Sequence, residues 1–555
     1  MEKVEKRNYG KWHLDYWKLI SLILMIILAV FLLYPLVTIC YKSVLNGDGQ
    51  LSLSNYVDFF TLKYYTSALG HSFLVCSIST VIAALIGVPI AYIASRYNVG
   101  CKKFLNMIII MSMISPPFIG AYSWILLFGR NGAVTTFLRT LGIQVPSIYG
   151  FGGIVLVFAV KFFPMIYLYV NGALGSIDAS LEEAAENLGM SRIKRIMTIT
   201  FPLILPTISA AMLMVFMAAL ADFGTPMLIG EGYKVLPVLI YQQYLSETGG
   251  NATMASTLSV VIILCALIVL LIQKFVISRK NYMMSMLRPP AEIKLKGGKR
   301  VLATGICYLV AFIGFLPQLT VFYTSFLKTS GPLFVKGYSL DSYRNIINKL
   351  ARSVTNTFAY AIIAIIIMIV VGILIAYLSV RKKNKINTVL DVLVMFPYVI
   401  PGSVLGIALL LTFNKQPLYL TGTWIIMVLA YVIRKLPYTV RSSSAILYQI
   451  DPSIEEASIN LGVSPLKTFF KTTAILMIPG VFSGAIMSWI TTINELSSSV
   501  MLYTSKTNTI AVSVYTEVLR GNFGTAAALA VILSITSMAS VLLFTKLSGG
   551  RSITL

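Results

Sequence analysis

Apolar residues in this chain run in long stretches, without the regular alternation of a half-buried strand or helix, and polar residues gather in the short gaps between them. A helix needs roughly 20 apolar residues to cross a hydrocarbon core of about 30 Å. Twelve stretches meet that length, near 19–40, 72–94, 104–128, 150–172, 203–225, 257–277, 301–325, 357–380, 387–412, 420–445, 473–496 and 525–546. The pattern predicts an all-α membrane protein of twelve transmembrane helices.

Composition mainly removes alternatives. With 57% hydrophobic and 12% charged residues over 555 positions and a mean hydropathy of +0.83, polar surface is too scarce to coat a soluble globule. The 44 Lys+Arg against 20 Asp+Glu give a net charge of +24. In a soluble chain that excess would point to nucleic acid. Here the bases cluster in interhelical gaps: Lys3 to Lys18, Arg96/Lys102/Lys103, Arg192/Lys194/Arg195, Arg279 to Arg300, Arg381/Lys382/Lys383/Lys385 and Lys467/Lys471. All fall on one side of a twelve-span topology, and the positive-inside rule makes that side cytoplasmic, together with both termini. The alternate loops, such as Lys42 to His71 and Gly331 to Arg352, then face outward. Five cysteines and two distant histidines give no disulfide framework and no metal-ligand spacing. Residues 1–18 are largely polar and the first apolar run is long enough to span, so no cleavable signal peptide is predicted.

One polar device occurs twice. Glu182-Glu183-Ala184-Ala185-Glu186-Asn187-Leu188-Gly189 returns as Glu455-Glu456-Ala457-Ser458-Ile459-Asn460-Leu461-Gly462, each residue 273 positions later (189 to 462). Ala91-Tyr92 with Arg96 recurs as Ala376-Tyr377 with Arg381, Pro164 as Pro437, Asp178 as Asp451 and Pro206 as Pro479. The chain therefore reads as two repeats of six spans, residues 1–285 and 286–555, divided near Arg288-Pro289-Pro290, where a helix cannot continue. An even number of spans per repeat gives both copies the same orientation, related by an axis along the membrane normal.

Each copy (178–206 and 451–479) reads as a capped amphipathic helix. Asp178 and Asp451 can accept from first-turn N–H groups, and Pro452 suits the first helical position. Glu182/Glu183 and Glu455/Glu456 lie near the positive end of the dipole, and Gly189 and Gly462 fit a left-handed stop. Leu181, Ala184, Ala185 and Leu188, matched by Ile454, Ala457, Ser458 and Leu461, form one apolar face. Two such helices on one side of the membrane predict docking of something soluble.

Glu183-Ala184-Ala185, Gly189 and Ile199-Thr200-Phe201-Pro202 resemble the EAA loop of permease subunits in binding-protein-dependent ABC importers. The second copy departs from it, with Ser458 for the second alanine and Ile475 where Pro202 predicts proline. Across its whole length the chain is similar to the fused two-domain permeases of the iron(III), thiamine, polyamine and phosphonate importers, most of all those for iron(III). The resemblance implies residence in a bacterial inner membrane. It also implies an extracytoplasmic substrate-binding protein and a pair of identical ABC ATPase subunits, whose grooves receive the two EAA helices through Glu182, Glu183, Ala184, Ala185, Gly189, Glu455, Glu456, Ala457 and Gly462. The chain has no G-x4-G-K-[ST] loop, since Gly297-Gly298-Lys299-Arg300 has neither the spacing nor the hydroxyl. Mg-ATP is therefore expected on the partner, and no cofactor in this chain. No nucleophile–base set is evident, so the chain reads as a permease and not an enzyme.

Charges inside spans mark functional positions by default. Lys161 and Arg434 correspond across the repeats, as do Asp222 and Glu495. At about 1.5 Å per residue, Asp222 lies roughly 25–30 Å from the cytoplasmic start of its helix, near the outer mouth, with Lys161 deeper. These residues either line a route or pair to hold the bundle. Ser115-Pro116-Pro117 and Pro397 to Pro401-Gly402 interrupt corresponding spans near mid-depth, placing Pro117 and Pro401 beside the route. Acids at the mouth suit a hard cation such as iron(III), and the two bases would equally suit a phosphorylated or phosphonate solute. A secondary transporter can also have two parallel six-span halves, but it has no need of two acidic docking helices.

Overall fold

The computed structural model describes residues 16–113, 119–144, 146–245, 250–278 and 292–547. Helices dominate, and the described residues of each predicted apolar run fall mainly on helix, but not as twelve continuous spans. Nine helices among the described residues are long and apolar enough to cross a membrane, or ten if one bent pair counts as a single span. That pair is Lys385–Val399 and Gly402–Thr412, which meet at 111°. Pro401 lies at their junction, where its ring excludes the N–H that would continue the first helix. The corresponding run of the first repeat is Lys102–Met113 and Ile119–Phe128. Ser115-Pro116-Pro117 between them is outside the described residues. The run expected at 420–445 is helix Trp424–Gln449, long enough at 26 residues but carrying Arg434, Lys435 and Arg441.

The repeat is visible element by element. Helices Phe151–Gly175, Arg192–Arg195 and Phe201–Leu220 of the first half match Trp424–Gln449, Pro465–Thr468 and Ala474–Ile493 of the second at the sequence spacing. One-turn π segments, Ile196–Thr200 and Phe469–Thr473, also match at 273 positions (196 to 469). The helix starts alike in both copies, so the absence of proline at Ile475 changes nothing there. Arg96 and Arg381 are 285 apart (96 to 381), and the twelve extra positions in the first half accommodate helix Ala133–Thr140.

The halves embrace. The first helix of the chain, Tyr16–Leu28 continuing through Tyr34–Ser43, packs on Lys385–Val399 and Gly402–Thr412 of the other repeat as well as on its own last helix, Ala252–Ser278. Gly298–Ser325 does the reciprocal, packing on Lys102–Met113, Ile119–Phe128 and its own last helix Phe523–Leu547. Each contact is tight. Gln318 Nε2 donates to the Met111 carbonyl at 2.8 Å, Ser123 Oγ to that of Pro317 at 2.7 Å, and Phe163 fills the space a side chain at Gly314 would need. Among the described residues, a two-stranded antiparallel hairpin, Leu327–Ser330 with Leu333–Tyr338, departs from the all-helical expectation.

Candidate functional site

The two acidic helices, Ala179–Asn187 and Ser453–Asn460, are built alike. Asp178 accepts the Ser180 N–H at 2.9 Å and Asp451 the Ser453 N–H at 2.8 Å. That backbone bond holds the Asp451 carboxyl below its ordinary range. At the other end Gly189 has φ +77° and Gly462 φ +83°. The N–H groups of Met190 and Gly189 return to the Ala185 and Glu186 carbonyls, and those of Val463 and Gly462 to Ser458 and Ile459. This is the Schellman closure, which a residue in the left-handed region makes possible.

The paired acids separate by role. Glu182 turns inward, where its Oε1 receives Arg96 Nη2 at 2.7 Å and Thr200 Oγ1 at 2.9 Å, and Arg96 is only 2% exposed. Glu455 does the same with Arg381 Nε at 3.3 Å and the Tyr377 hydroxyl at 3.1 Å. Glu182 and Glu455 therefore anchor their helices. Glu183 and Glu456 remain exposed, with no ion pair among the described residues. The expected apolar face also divides. Ala185 is buried and Ser458 half-buried, whereas Leu181, Ala184 and Leu188, like Ile454, Ala457 and Leu461, stand open. Leu188 and Leu461 are 80% and 85% exposed at equivalent positions. Ser458 bonds Thr468 Oγ1 at 2.9 Å, so the serine that replaces alanine has a partner of its own.

Sequence reading missed Arg96 and Arg381 as site residues. Their recurrence beside Ala91-Tyr92 and Ala376-Tyr377 was the signal. Under the second helix, the Tyr377 ring lies 4.6 Å from both Trp17 and Phe469, so the embracing first helix of the chain reaches the anchor of the opposite repeat.

The acids that follow helices Phe201–Leu220 and Ala474–Ile493 meet the bases within Phe151–Gly175 and Trp424–Gln449. Lys161 pairs with Asp222, and Arg434 with Glu495. Lys435, not singled out from sequence although it adjoins Arg434, is a second base on Glu495, at 2.9 Å. The Lys161 side chain thus reaches Asp222. The acids also cap short helices: Asp222 Oδ1 accepts the Thr225 N–H at 2.9 Å, and Glu495 Oε1 the Ser498 N–H at 3.2 Å. Among the described residues no group of three or more His, Cys, Asp or Glu could hold a metal ion.

Beside the Asp222 node lie Tyr241 and Tyr515, on the matching helices Leu236–Leu245 and Ile510–Leu519. They are 274 positions apart (241 to 515), and the Tyr515 hydroxyl donates to that of Tyr241 at 3.3 Å. Two repeat-equivalent residues that touch each other lie on the axis relating the repeats. Phe223, beside Asp222, packs at ring distances of 4.8 Å from Tyr241 and 6.3 Å from Tyr515.

A family model described as a binding-protein-dependent transport system inner membrane component matches residues 83–282 and again 368–551. The chain is 29% identical over 547 residues to the ferric transport system permease protein FbpB of Actinobacillus pleuropneumoniae, covering 96% of this chain and 78% of that protein. A second relative, the Fe(3+)-transport system permease protein FbpB 2 of Haemophilus influenzae, is 22% identical over 90% of this chain and 93% of its own length. The molybdate/tungstate transport system permease protein WtpB of Pyrococcus furiosus is 31% identical over 249 residues, 44% of this chain and 92% of that protein, about one repeat long.

Proposed function

The chain belongs to the family of binding-protein-dependent transport system inner membrane components, and from that premise we propose that it passes iron(III) from an external binding protein to the cytoplasm. It is the multi-pass membrane component of a bacterial ABC importer and not itself an enzyme. ATP hydrolysis is assigned to a separate pair of ATPase subunits, with Mg-ATP bound there, and both termini of this chain to the cytoplasmic side.

The observation that carries the reading is the twofold acidic helix with the same cap, the same Schellman stop, the same inward Arg–Glu anchor and the same open leucine edge. A capped interfacial helix could arise once by chance. Duplicating its anchor and its uncovered edge at one level of both repeats gives two equal handles through which a partner can move the halves. Leu181, Ala184 and Leu188 with Glu183, and Ile454, Ala457 and Leu461 with Glu456, form those handles. Arg96–Glu182 and Arg381–Glu455 transmit the movement into the helices Lys63–Arg96 and Ala351–Arg381.

The ferric relatives, which cover nearly the whole chain, support iron(III) over the single-repeat molybdate relative. The acids do not serve as free ligands in this reading, because bases already hold them. The route follows the axis between the repeats and is closed at its outer end by Tyr241, Tyr515 and Phe223. ATP depletion with the ion gradient intact separates this importer from a secondary transporter: uptake should stop. Among candidate loaded binding proteins, an iron(III) carrier should stimulate ATP hydrolysis by the reconstituted complex, and stimulation by a molybdate or phosphonate carrier alone would move the substrate assignment.

A further inference from the structure

After its first helix, each repeat places a short outer segment held by the same tether. Ser43 Oγ meets the Tyr56 hydroxyl at 2.8 Å, and Ser325 Oγ meets that of Tyr343 at 2.9 Å. Asn55 and Ser342, one residue before each tyrosine, are both buried. The two segments are thus one structural device, yet their charges differ. In the first, Lys42 and Lys63 balance Asp48 and Asp58, whereas 326–352 carry Lys328, Lys336, Arg344, Lys349 and Arg352 against Asp341 alone. All five bases are exposed, and Arg344 alone of them has an ion pair among the described residues, with Asp341 at 3.8 Å.

This basic surface stands at the opposite end of Gly298–Ser325 from the acidic helices, about 42 Å away for a 28-residue helix. Bases normally concentrate on the cytoplasmic side, so a positive excess on the other side runs against the topogenic rule and calls for another cause. Nor is the surface loose. The hairpin Leu327–Ser330/Leu333–Tyr338 sits against the start of the last helix, where a side chain at Gly524 would strike Ser342 Oγ at 2.6 Å and Thr329 Cγ2 at 2.9 Å. Leu333, Tyr338, Leu340 and Ile347 stand exposed among the bases, giving the apolar centre and charged surround of a protein-binding patch.

We propose that this hairpin surface of the second repeat docks an acidic face of the external binding protein, the charge-balanced segment of the first repeat offering that face no equal alternative. The proposal rests on the importer reading for the existence of that partner. An excess of positive charge over the second repeat alone makes one orientation more attractive than the reverse.

The test uses the full complex in vesicles, with wild-type permease and a variant carrying Lys328→Glu, Lys336→Glu, Lys349→Glu and Arg352→Glu. Uptake is measured against the concentration of loaded binding protein at several salt concentrations. The half-saturating concentration should rise by about tenfold at low salt while the rate at saturation holds, and the salt dependence seen in wild type should flatten. A set of Lys→Gln and Arg→Gln changes, which leaves less repulsion to disturb insertion, should shift it in the same direction. An unchanged half-saturating concentration overturns the proposal. So does a shift that disappears in vesicles without anionic lipid, because headgroups would then be the partner. Failure of the importer reading itself would show separately, as wild-type uptake that persists without ATP.

Discussion

Glu182 and Glu183 are neighbours in sequence with opposite fates, and the difference can be measured. Removing the charge at Glu182 leaves Arg96 buried without its counter-ion, a loss of about 3–5 kcal/mol when one partner of a buried pair is deleted. Glu182→Gln should therefore lower the melting temperature in detergent and reduce transport together. Glu183→Lys should leave melting unchanged and reduce ATP-driven uptake, because it reverses charge on an exposed handle. If the two variants behave alike, the division of roles is wrong. Sequence located the acidic pairs through their recurrence, but not which member turns inward, since that depends on the phase of a short helix against helices far away in the chain. The glycine stops were legible, being local. At Gly189 an added Cβ meets nothing within 4 Å, so only the backbone resists substitution. Gly189→Val should cost about 1–2 kcal/mol locally and uncouple uptake, while Gly189→Asn, which tolerates that region, should retain it. Equal uptake by both variants would count against the left-handed stop.

At the level of elements, the two charge nodes are equivalent in position and unequal in strength. Glu495, 4% exposed, holds Arg434 and Lys435, whereas Asp222 holds Lys161, whose side chain is 28% exposed. The second node is the more open of the two, its acid 10% exposed against 4%. Glu495→Gln should accordingly lower thermal stability by several kcal/mol, and Asp222→Asn by distinctly less. Melting curves of the two purified variants check the order, and a greater loss at Asp222 would reverse the assignment. The pairing of base with acid could be anticipated because both recur at one spacing. Lys435 could not, since its turn toward Glu495 is a matter of helix rotation. The bend at Pro401 was readable for the reason proline always is, a missing donor. The hairpin was not, because its strands are four and six residues long and hold no periodic stretch.

For the whole molecule, duplication was written in the sequence, but the mutual embrace was not: no local signal tells an apolar span which neighbour it will choose. The same symmetry makes Tyr241 and Tyr515 more than another buried aromatic pair. Any residue on the axis of two parallel repeats has its equivalent as its nearest counterpart, and a route between the repeats must pass that point. On the proposed route, the two rings with Phe223 packed beside them would close the outer end and have to part on outward opening. Cysteines at both positions, joined by a cleavable bifunctional thiol reagent in the reconstituted complex, should stop uptake, and cleavage of the linker should restore it. Each single-cysteine variant treated in parallel controls for the five native thiols. The linking yield should fall when loaded binding protein and a non-hydrolysable ATP analogue hold the complex in its outward-open form. Full uptake by the linked permease would place the route elsewhere, away from the axis on which the two repeats meet.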